Sequence, residues 1–195
     1  MKTIAVIVVR SPKVFEWLGH MPVANWTFTQ LTEVRGISRI VCVAEKKLHA
    51  RAKKLVGAEG IDVTEIPPQA KTEADLHRWF CSAQGPASDA DAILSVVPSS
   101  PFLNAAKLEA CVEEINDGAG TCYPARPCRV IFSEGHKTKE ASLPEILPGV
   151  KAFRVSTINE PGSFKTVEVG MIESLDITDP DNFAMAQALV SSGAV

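Results

Sequence analysis

The chain of 195 residues has no excess of positive charge, and this excludes one class of partner. Its 20 lysines and arginines stand against 23 aspartates and glutamates, for a formal net charge of −3. The basic residues are dispersed along the sequence, so they form no stripe that would attract a phosphate backbone. The composition therefore predicts no nucleic-acid partner.

Paired cysteine motifs are also lacking. The five cysteines occur singly, without a Cys-x-x-Cys pair, and their odd number argues against a complete disulfide framework. No histidine stands at ligand spacing from Cys122 and Cys128, which argues against a metal site there. We expect a protein of a reducing compartment, the cytoplasm.

Long hydrophobic runs are absent as well. A membrane-spanning helix takes about 20 apolar residues, and no stretch approaches that length. The run 4–9 near the start resembles a signal peptide, but it stops at Arg10 and no small-residue cleavage site follows. We interpret it as a buried strand and expect no membrane association.

Strands and helices alternate in the hydrophobic pattern. The strand predicted at 3–9 is apolar at nearly every position, as in a strand covered on both faces. Further strands are predicted at 38–43, 61–66, 92–97 and 166–171, and helices at 23–34, 46–56, 72–82, 105–115 and from about 181. This order predicts an α/β fold with three layers, α/β/α, around a Rossmann-like mixed sheet.

The length and the 46% hydrophobic content suit one compact domain over residues 1–195. Between about 116 and 165 the pattern loosens, with several prolines and glycines and short apolar runs at 129–132 and 150–155. We expect this segment to be an excursion from the main fold.

Acidic residues cluster where the last predicted strand gives way to the last helix, at Asp176, Asp179 and Asp181. In an α/β protein this junction lies at the carboxyl edge of the sheet, where ligands bind. A carboxylate there can hold a divalent cation that bridges the phosphates of a nucleotide. The alternative is that Asp179 or Asp181 caps the helix.

Several segments resemble the cytidylyltransferases that activate acidic sugars, within the glycosyltransferase A-type nucleotidyltransferase superfamily. Residues 9–13 and 21–26 are similar to the two ends of the family's first loop, and Arg10 corresponds to the family arginine. Residues 41–58 follow the family order of strand, helix and Gly-Ala pair, with Glu45 in place of an aspartate. Residues 92–102 resemble the strand and Pro-Thr-Ser-Pro turn of the sialic-acid branch.

The acidic tail is similar to the family's Asp-Ile-Asp element. Asp176 matches its first carboxylate, Thr178 replaces the second, and Asn182 replaces the aspartate before Phe183. A shift in register would let Asp179 or Asp181 take the place of the missing second carboxylate. The resemblance thus implies a fold of the nucleotide-diphospho-sugar transferase type and an ancestral metal site at Asp176.

The resemblance also implies an activity: transfer of a nucleotide, a cytidylyl group by this likeness, from a nucleoside triphosphate to a sugar acid or similar acceptor, with release of pyrophosphate. Mg²⁺ is the implied cofactor, and the segment 116–165 corresponds in position to one that pairs subunits into homodimers. The implied catalytic residues are Arg10, Lys13 and Asp176, the metal ligands are Asp176 and Asp179, and the nucleotide or sugar contacts are Val9, Ser11, Glu45, Pro98, Ser99 and Ser100.

Alternatives stay open at several of these positions. Arg10 can pair with a carboxylate instead of a phosphate, and Ser99 and Ser100 can serve the turn alone. The first loop has one glycine, Gly19, and the stretch 14–18 is bulky, apolar and acidic where a phosphate cradle is small and basic. The competing hypothesis is a catalytically degenerate relative that binds a nucleotide, a nucleotide sugar or a protein partner without turnover.

Overall fold

A mixed sheet of eight strands forms the centre of the molecule. The computed structural model describes residues 1–57, 60–134, 137–158 and 163–195, with backbone alone for 130–134 and 137–140. The strands are β1 (Thr3–Val9), β2 (Trp17–Leu18), β3 (Met21–Pro22), β4 (Ile37–Ala44), β5 (Val63–Glu65), β6 (Ala92–Val96), β7 (Thr121–Glu134), β8 (Lys137–Ile146), β9 (Val150–Arg154) and β10 (Phe164–Glu168). The large sheet has the order β10-β7-β9-β6-β1-β4-β5, with β8 paired to β7, while β2 and β3 form a separate hairpin.

The helices agree closely with the sequence predictions. They are α1 (Val23–Glu33), α2 (Lys46–Val56), α3 (Glu73–Phe80), α4 (Ala105–Asn116) and α5 (Pro180–Ser192), with short 3₁₀ helices at Pro12–Phe15 and Val155–Thr157. Thr72 and Asp75 form a capping box at the start of α3, and the side chain of Asn104 accepts a hydrogen bond from the Lys107 N–H at 3.0 Å. None of the helices in the described ranges combines the length and the apolarity that a membrane crossing requires.

Strand β1 shows why the fold has three layers. Its residues alternate between two buried clusters, with Ile7 in the cluster that includes α1, α2 and α4 and Val6 in the cluster that includes α3. All seven residues of β1 are buried. The three-layer α/β/α arrangement predicted from the continuous apolar run is therefore confirmed.

The parallel strands all end at one edge of the sheet, the carboxyl edge. β1 pairs in parallel with β4 and with β6, and β4 with β5, so Val9 lies beside Ala44 and Ala44 beside Glu65. The residues that follow these strands therefore meet at the same place. This register positions Arg10 and Glu45 side by side.

A long hairpin extends beyond this edge. β7 runs parallel to β6, with the antiparallel β9 between them, and Thr121 and Cys122 pair with Phe153 and Ala152. The rest of β7 passes the end of β6 and pairs with β8 from Ala125–Ile146 to Glu134–Lys137. Only part of the segment predicted as an excursion projects from the sheet. The projecting part is formed by β7 and β8, whereas β9 lies inside the main sheet.

A small third core joins the first loop to the acidic tail. Leu18, Val23, Ile177 and Ala186 are buried together, with Trp26, Phe102, Phe183 and Val190 packed against them. Gly19 turns the chain between β2 and β3 with a φ of 64°, where a Cβ would lie 2.4 Å from Cγ1 of Val190. The first loop and α5 are thus fitted closely to each other.

Candidate functional site

A cavity of about 400 Å³ opens at the carboxyl edge, where β1, β4 and β5 end. Its charged lining mixes three cations with two carboxylates, while the loop after β5 contributes apolar walls. The lining residues are Arg10, Glu45, Lys46, Glu65, Ile66, Pro67, Pro68, Ala70 and Lys71. Ligands of open α/β sheets bind at this position, because the strand ends leave a crevice there.

Arg10 is half-buried in this edge cavity. Its guanidinium donates a hydrogen bond from Nη2 to the carbonyl of Ala70 at 2.8 Å, and this contact holds the loop after β5 against the end of β1. The neighbouring Glu45 forms an ion pair with Lys47 at 3.1 Å, and its main-chain N–H donates to the carbonyl of Val9 at 3.1 Å. Among the described residues Arg10 makes no ion pair, and its guanidinium hydrogen bond goes to this carbonyl.

The first loop is a compact structure. Ser11 caps the 3₁₀ helix Pro12–Phe15 by accepting a hydrogen bond from the Lys13 N–H at 3.3 Å. Val14 and Phe15 are buried, so this part of the apolar stretch packs into the core. The side chain of Lys13 points away from this core, and its Nζ donates to the carbonyl of Thr178 at 2.5 Å.

The turn after β6 is buried and tied to the tail. The carbonyl of Ser99 accepts a hydrogen bond from the Ile177 N–H at 2.8 Å, and the Ser99 N–H donates to the Val97 carbonyl at 2.8 Å. Ser99 and Ser100 both have side chains that are nearly inaccessible. Within the described residues the Ser100 hydroxyl has no hydrogen-bond partner. The main-chain bonds of Ser99 therefore fix the turn against the tail, and the Ser100 hydroxyl is buried beside it.

Asp176 lines a second cavity, of about 240 Å³, between the tail and the base of the hairpin. One carboxylate oxygen, Oδ1, accepts hydrogen bonds from the Thr178 N–H at 2.9 Å and the Thr178 hydroxyl at 2.8 Å. On the opposite wall Arg126 forms an ion pair with Glu145 at 2.6 Å. The second carboxylate oxygen of Asp176 has no hydrogen-bond partner in the part of the chain that is described.

Asp179 caps α5. Its Oδ1 accepts hydrogen bonds from the N–H groups of Asp181 at 2.8 Å and Asn182 at 3.2 Å, which satisfies donors that the first turn leaves open. Among the described residues no three His, Cys, Asp or Glu side chains are grouped to hold a metal ion. The structure thus brings Asp179 to a capping position three residues from Asp176, and the two do not form an acidic cluster with a third group.

The predicted site residues fall into two neighbouring groups. Arg10 and Glu45 line the edge cavity, whereas Asp176 lines the tail cavity, and the two cavities share no lining residue. Lys13 connects the first loop to the tail through Thr178. Sequence reasoning missed three other residues that line the edge cavity, Lys46, Glu65 and Lys71, although each lies at or after the end of a predicted strand. It also missed Arg126 and Glu145, which line the tail cavity from the hairpin.

Comparisons with known proteins bear on the fold. A scan against models of protein families gives no match, and no curated protein matches the sequence. The solved structure of CMP:2-keto-3-deoxy-manno-octonic acid synthetase complexed with CTP has a TM-score of 0.73 at 13% identity, covering 99% of this chain and 100% of that one. The chain has the nucleotide-diphospho-sugar transferase fold.

Two further structures support this fold. The 4-diphosphocytidyl-2C-methyl-D-erythritol synthase from Anaerococcus prevotii DSM 20548 has a TM-score of 0.71 at 13% identity, with coverage of 97% of this chain and 98% of that one. A second 4-diphosphocytidyl-2C-methyl-D-erythritol synthase gives 0.70 at 15% identity and the same coverage. The fold type that the resemblance implied is therefore confirmed.

Proposed function

We propose that the protein is a nucleotidyltransferase that transfers a cytidylyl group from CTP to a sugar acid or similar acceptor and releases pyrophosphate. The observation that carries this proposal is the contact between Lys13 and Thr178, which joins the first loop to the acidic tail at the carboxyl edge. The solved structures of like fold include one complexed with CTP and two diphosphocytidyl synthases, which supports cytidine as the base.

The nucleotide occupies the edge cavity in this proposal. Its volume of about 400 Å³ lies in the range of small-ligand sites. Arg10, Lys46 and Lys71 supply positive charge to the phosphates, and the carboxylates of Glu45 and Glu65 can accept hydrogen bonds from donors on the base or ribose. Val9 and Ser11 contribute by fixing the backbone that carries Arg10. Pro98, Ser99 and Ser100 form the turn that lies between the edge cavity and the tail.

Asp176 is the principal magnesium ligand in this proposal. Mg²⁺ commonly keeps several waters and binds through one or two carboxylates together with phosphate oxygens. Asp176 fits this role because one of its oxygens orients the carboxylate through Thr178 while the other remains unengaged. When bound, the cation neutralises charge on the triphosphate. Asp179 is the second proposed ligand, and its capping bonds to α5 fix its position.

The acceptor binds in the tail cavity, whose walls include Arg126, Ser174 and Asn182. A guanidinium is well suited to a carboxylate, so an acidic acceptor would compete with Glu145 for Arg126. The acceptor hydroxyl oxygen forms a bond to the α-phosphorus and its proton passes to water, while the bond to the bridging oxygen breaks and pyrophosphate leaves with that electron pair. Lys13, Arg10 and Lys71 act by holding the phosphates in line and stabilising the charge that develops.

The protein acts as a homodimer in the cytoplasm in this proposal. The hairpin of β7 and β8 projects from the sheet, and Leu143 and Ile146 on it are 52% and 43% exposed, which supports a contact with a second copy. All five cysteines are free thiols, which suits a reducing compartment.

Pyrophosphate release tests the proposal. The protein is incubated with Mg²⁺, each nucleoside triphosphate in turn, and a panel of sugar acids and sugar phosphates. We expect release above the protein-free blank with CTP and an acidic sugar. Release with no combination, alongside stabilisation of the fold by CTP, would identify a nucleotide-binding protein without turnover. If the protein shows no pyrophosphate release and no stabilisation by CTP, nucleotide chemistry is excluded altogether.

A further inference from the structure

A third cavity, of about 160 Å³, lies between α3 and the sheet face of β9 and β7. It shares no lining residue with the edge cavity or the tail cavity. Its polar lining is basic or hydroxylic, and the residues that line it are Ala74, His77, Arg78, Thr121, Lys151, Phe153, Thr157 and Ile158. We refer to it as the α3 cavity.

Lys151 carries the uncompensated charge of the α3 cavity. Its Nζ stands over the rings of Phe153 and Tyr123, 5.4 and 5.6 Å from their centroids, and it makes no ion pair in the described part of the chain. The aromatic faces attract a cation weakly and do not neutralise it. Arg78, the other permanent cation of the lining, is paired with Asp75 at 2.8 Å. The free positive charge is therefore that of Lys151.

His77 forms the inner wall of the α3 cavity. It is buried against the ring of Phe153, with centroids 4.7 Å apart, and its Nε2 lies 3.7 Å from the carboxylate of Glu73. Burial, the ammonium of Lys151 and the guanidinium of Arg10 lower the pKa of His77 to about 4. The imidazole is consequently neutral at pH 7 and can donate one hydrogen bond into the cavity.

Charged groups lie around His77 on three elements: Glu73 and Arg78 on α3, Lys151 on β9 and Arg10 in the loop after β1. Strand β7 contributes the polar residue Thr121 to the lining. Glu73 is mostly exposed and Arg78 is engaged by Asp75, so neither balances Lys151. The positive charge of Lys151 beside the buried imidazole is therefore not balanced by a negative group among the described residues that line the cavity.

We propose that the α3 cavity is a binding site for a small oxyanion, a tetrahedral phosphate or sulfate group or a carboxylate, paired with Lys151 and hydrogen-bonded by His77 and Thr121. The volume admits such a group, and the surrounding aromatic rings reduce screening by water, which strengthens the ion pair. An anion beside His77 also offsets the repulsion from Lys151 and Arg10, so its binding favours the protonated imidazole. The site is separate from the nucleotide site and does not depend on catalysis.

The test is an NMR titration of the His77 imidazole in the whole protein, with its signal identified by its loss in His77→Asn. Sodium sulfate probes tetrahedral anions and sodium formate probes carboxylates, each against sodium chloride at equal ionic strength. We expect sulfate to raise the pKa of His77 by at least about one unit, the usual effect of an opposite charge at contact distance. A formate response at pH 5.5 without a sulfate response would assign the site to carboxylates.

Variants of Lys151 complete the test. Lys151→Met should abolish the anion response and Lys151→Arg should retain it, while Lys165→Met on β10 removes the same charge from an exposed position and should leave the response unchanged. Thermal unfolding confirms that each variant is folded. No response to either anion beyond that of chloride overturns the proposal, and so does an undiminished response in Lys151→Met.

Discussion

The ammonium of Lys13 donates a hydrogen bond to the main-chain carbonyl of Thr178 at 2.5 Å, across 165 positions of the sequence. Thr178 in turn donates two hydrogen bonds to the carboxylate of Asp176. The loop after β1 and the tail after β10 are thereby connected through one lysine. This connection joins the ammonium of Lys13 to the residue that holds Asp176, the proposed metal ligand.

Replacement of Lys13 by methionine tests that connection. The variant loses the bond to Thr178 and a positive charge near the phosphates, so we expect the affinity for CTP with Mg²⁺ to fall roughly tenfold, in line with one hydrogen bond to a charged group. Isothermal titration calorimetry measures the change. Lys165→Met, which removes a lysine from β10, should bind as the wild type does.

Gly19→Ala should destabilise the protein through the contact between the first loop and α5. The backbone at Gly19 has a φ of 64°, and the added Cβ would lie 2.4 Å from Cγ1 of Val190. We expect a loss of about 1 to 3 kcal/mol in the free energy of unfolding, from strain and overpacking together. Urea denaturation measures it.

Two controls separate strain from overpacking. Gly193 has a similar φ of 70° with nothing within 4 Å of a Cβ, so Gly193→Ala should cost about 1 kcal/mol from backbone strain alone. Val190→Ala should recover part of the stability of Gly19→Ala by making room. Equal losses at Gly19 and Gly193 would show that the contact with Val190 is unimportant.

His77 should make stability depend on pH. Its pKa is lowered from 6.5 to about 4 in the folded protein, so the unfolded chain binds more protons between these values and stability falls as the pH drops from 6.5 to 4. The difference corresponds to about 3 kcal/mol. In His77→Phe, whose ring can extend into the α3 cavity, this part of the pH dependence should vanish. Denaturation curves at pH 7 and 4.5 give the free energy of unfolding of both proteins. A variant whose stability falls with pH as much as that of the wild type would contradict the assignment.

Local patterns predicted the five helices and, among the strands that the structure describes, β1, β4, β5, β6 and β10, whereas β7 and β9 lie in the segment predicted as an excursion. The bounds of α2, the capping box at Thr72 and the buried face of α4 follow from periodicity and capping, which depend on neighbours in the sequence. The hairpin of β2 and β3 was missed because its two-residue strands are held by contact with α5, close to the far end of the chain. β8 was missed because its alternation is interrupted by Pro144 and its pairing partner β7 is what makes it a strand.

The positions of the candidate site residues could be predicted only in part. Arg10 and Glu45 could be placed at one edge because parallel strands end together, and the structure places both in the edge cavity. The separation of Asp176 into the tail cavity depends on how the tail crosses from β10 to the Ser99 carbonyl. No local pattern encodes that path.

Asparagine substitutions distinguish the two aspartates of the tail. Asp176→Asn keeps an acceptor for the hydrogen bonds from Thr178, and Asp179→Asn keeps a capping acceptor for α5, so each variant loses charge alone. We expect Asp176→Asn to lose the Mg²⁺-dependent part of the rise in melting temperature caused by CTP, and Asp179→Asn to keep most of it. The reverse result would make Asp179 the principal ligand.

The hairpin should hold the dimer. Glutamate in place of both Leu143 and Ile146 puts charge on the exposed apolar surface, and we expect sedimentation velocity to show a shift from dimer to monomer. Met185 on α5 is 50% exposed and serves as the matched control position outside the hairpin. Met185→Glu should leave the mass of the sedimenting particle unchanged. A monomeric wild type would contradict the proposed dimer directly.

A crystal structure with CTP and Mn²⁺, whose anomalous signal locates the metal, would show whether the edge cavity and Asp176 serve one nucleotide. We expect the nucleotide in the edge cavity beside Arg10, its phosphates reaching toward Lys13, and the metal bound to the free oxygen of Asp176. CTP bound away from the carboxyl edge, or a metal held without Asp176, would contradict it.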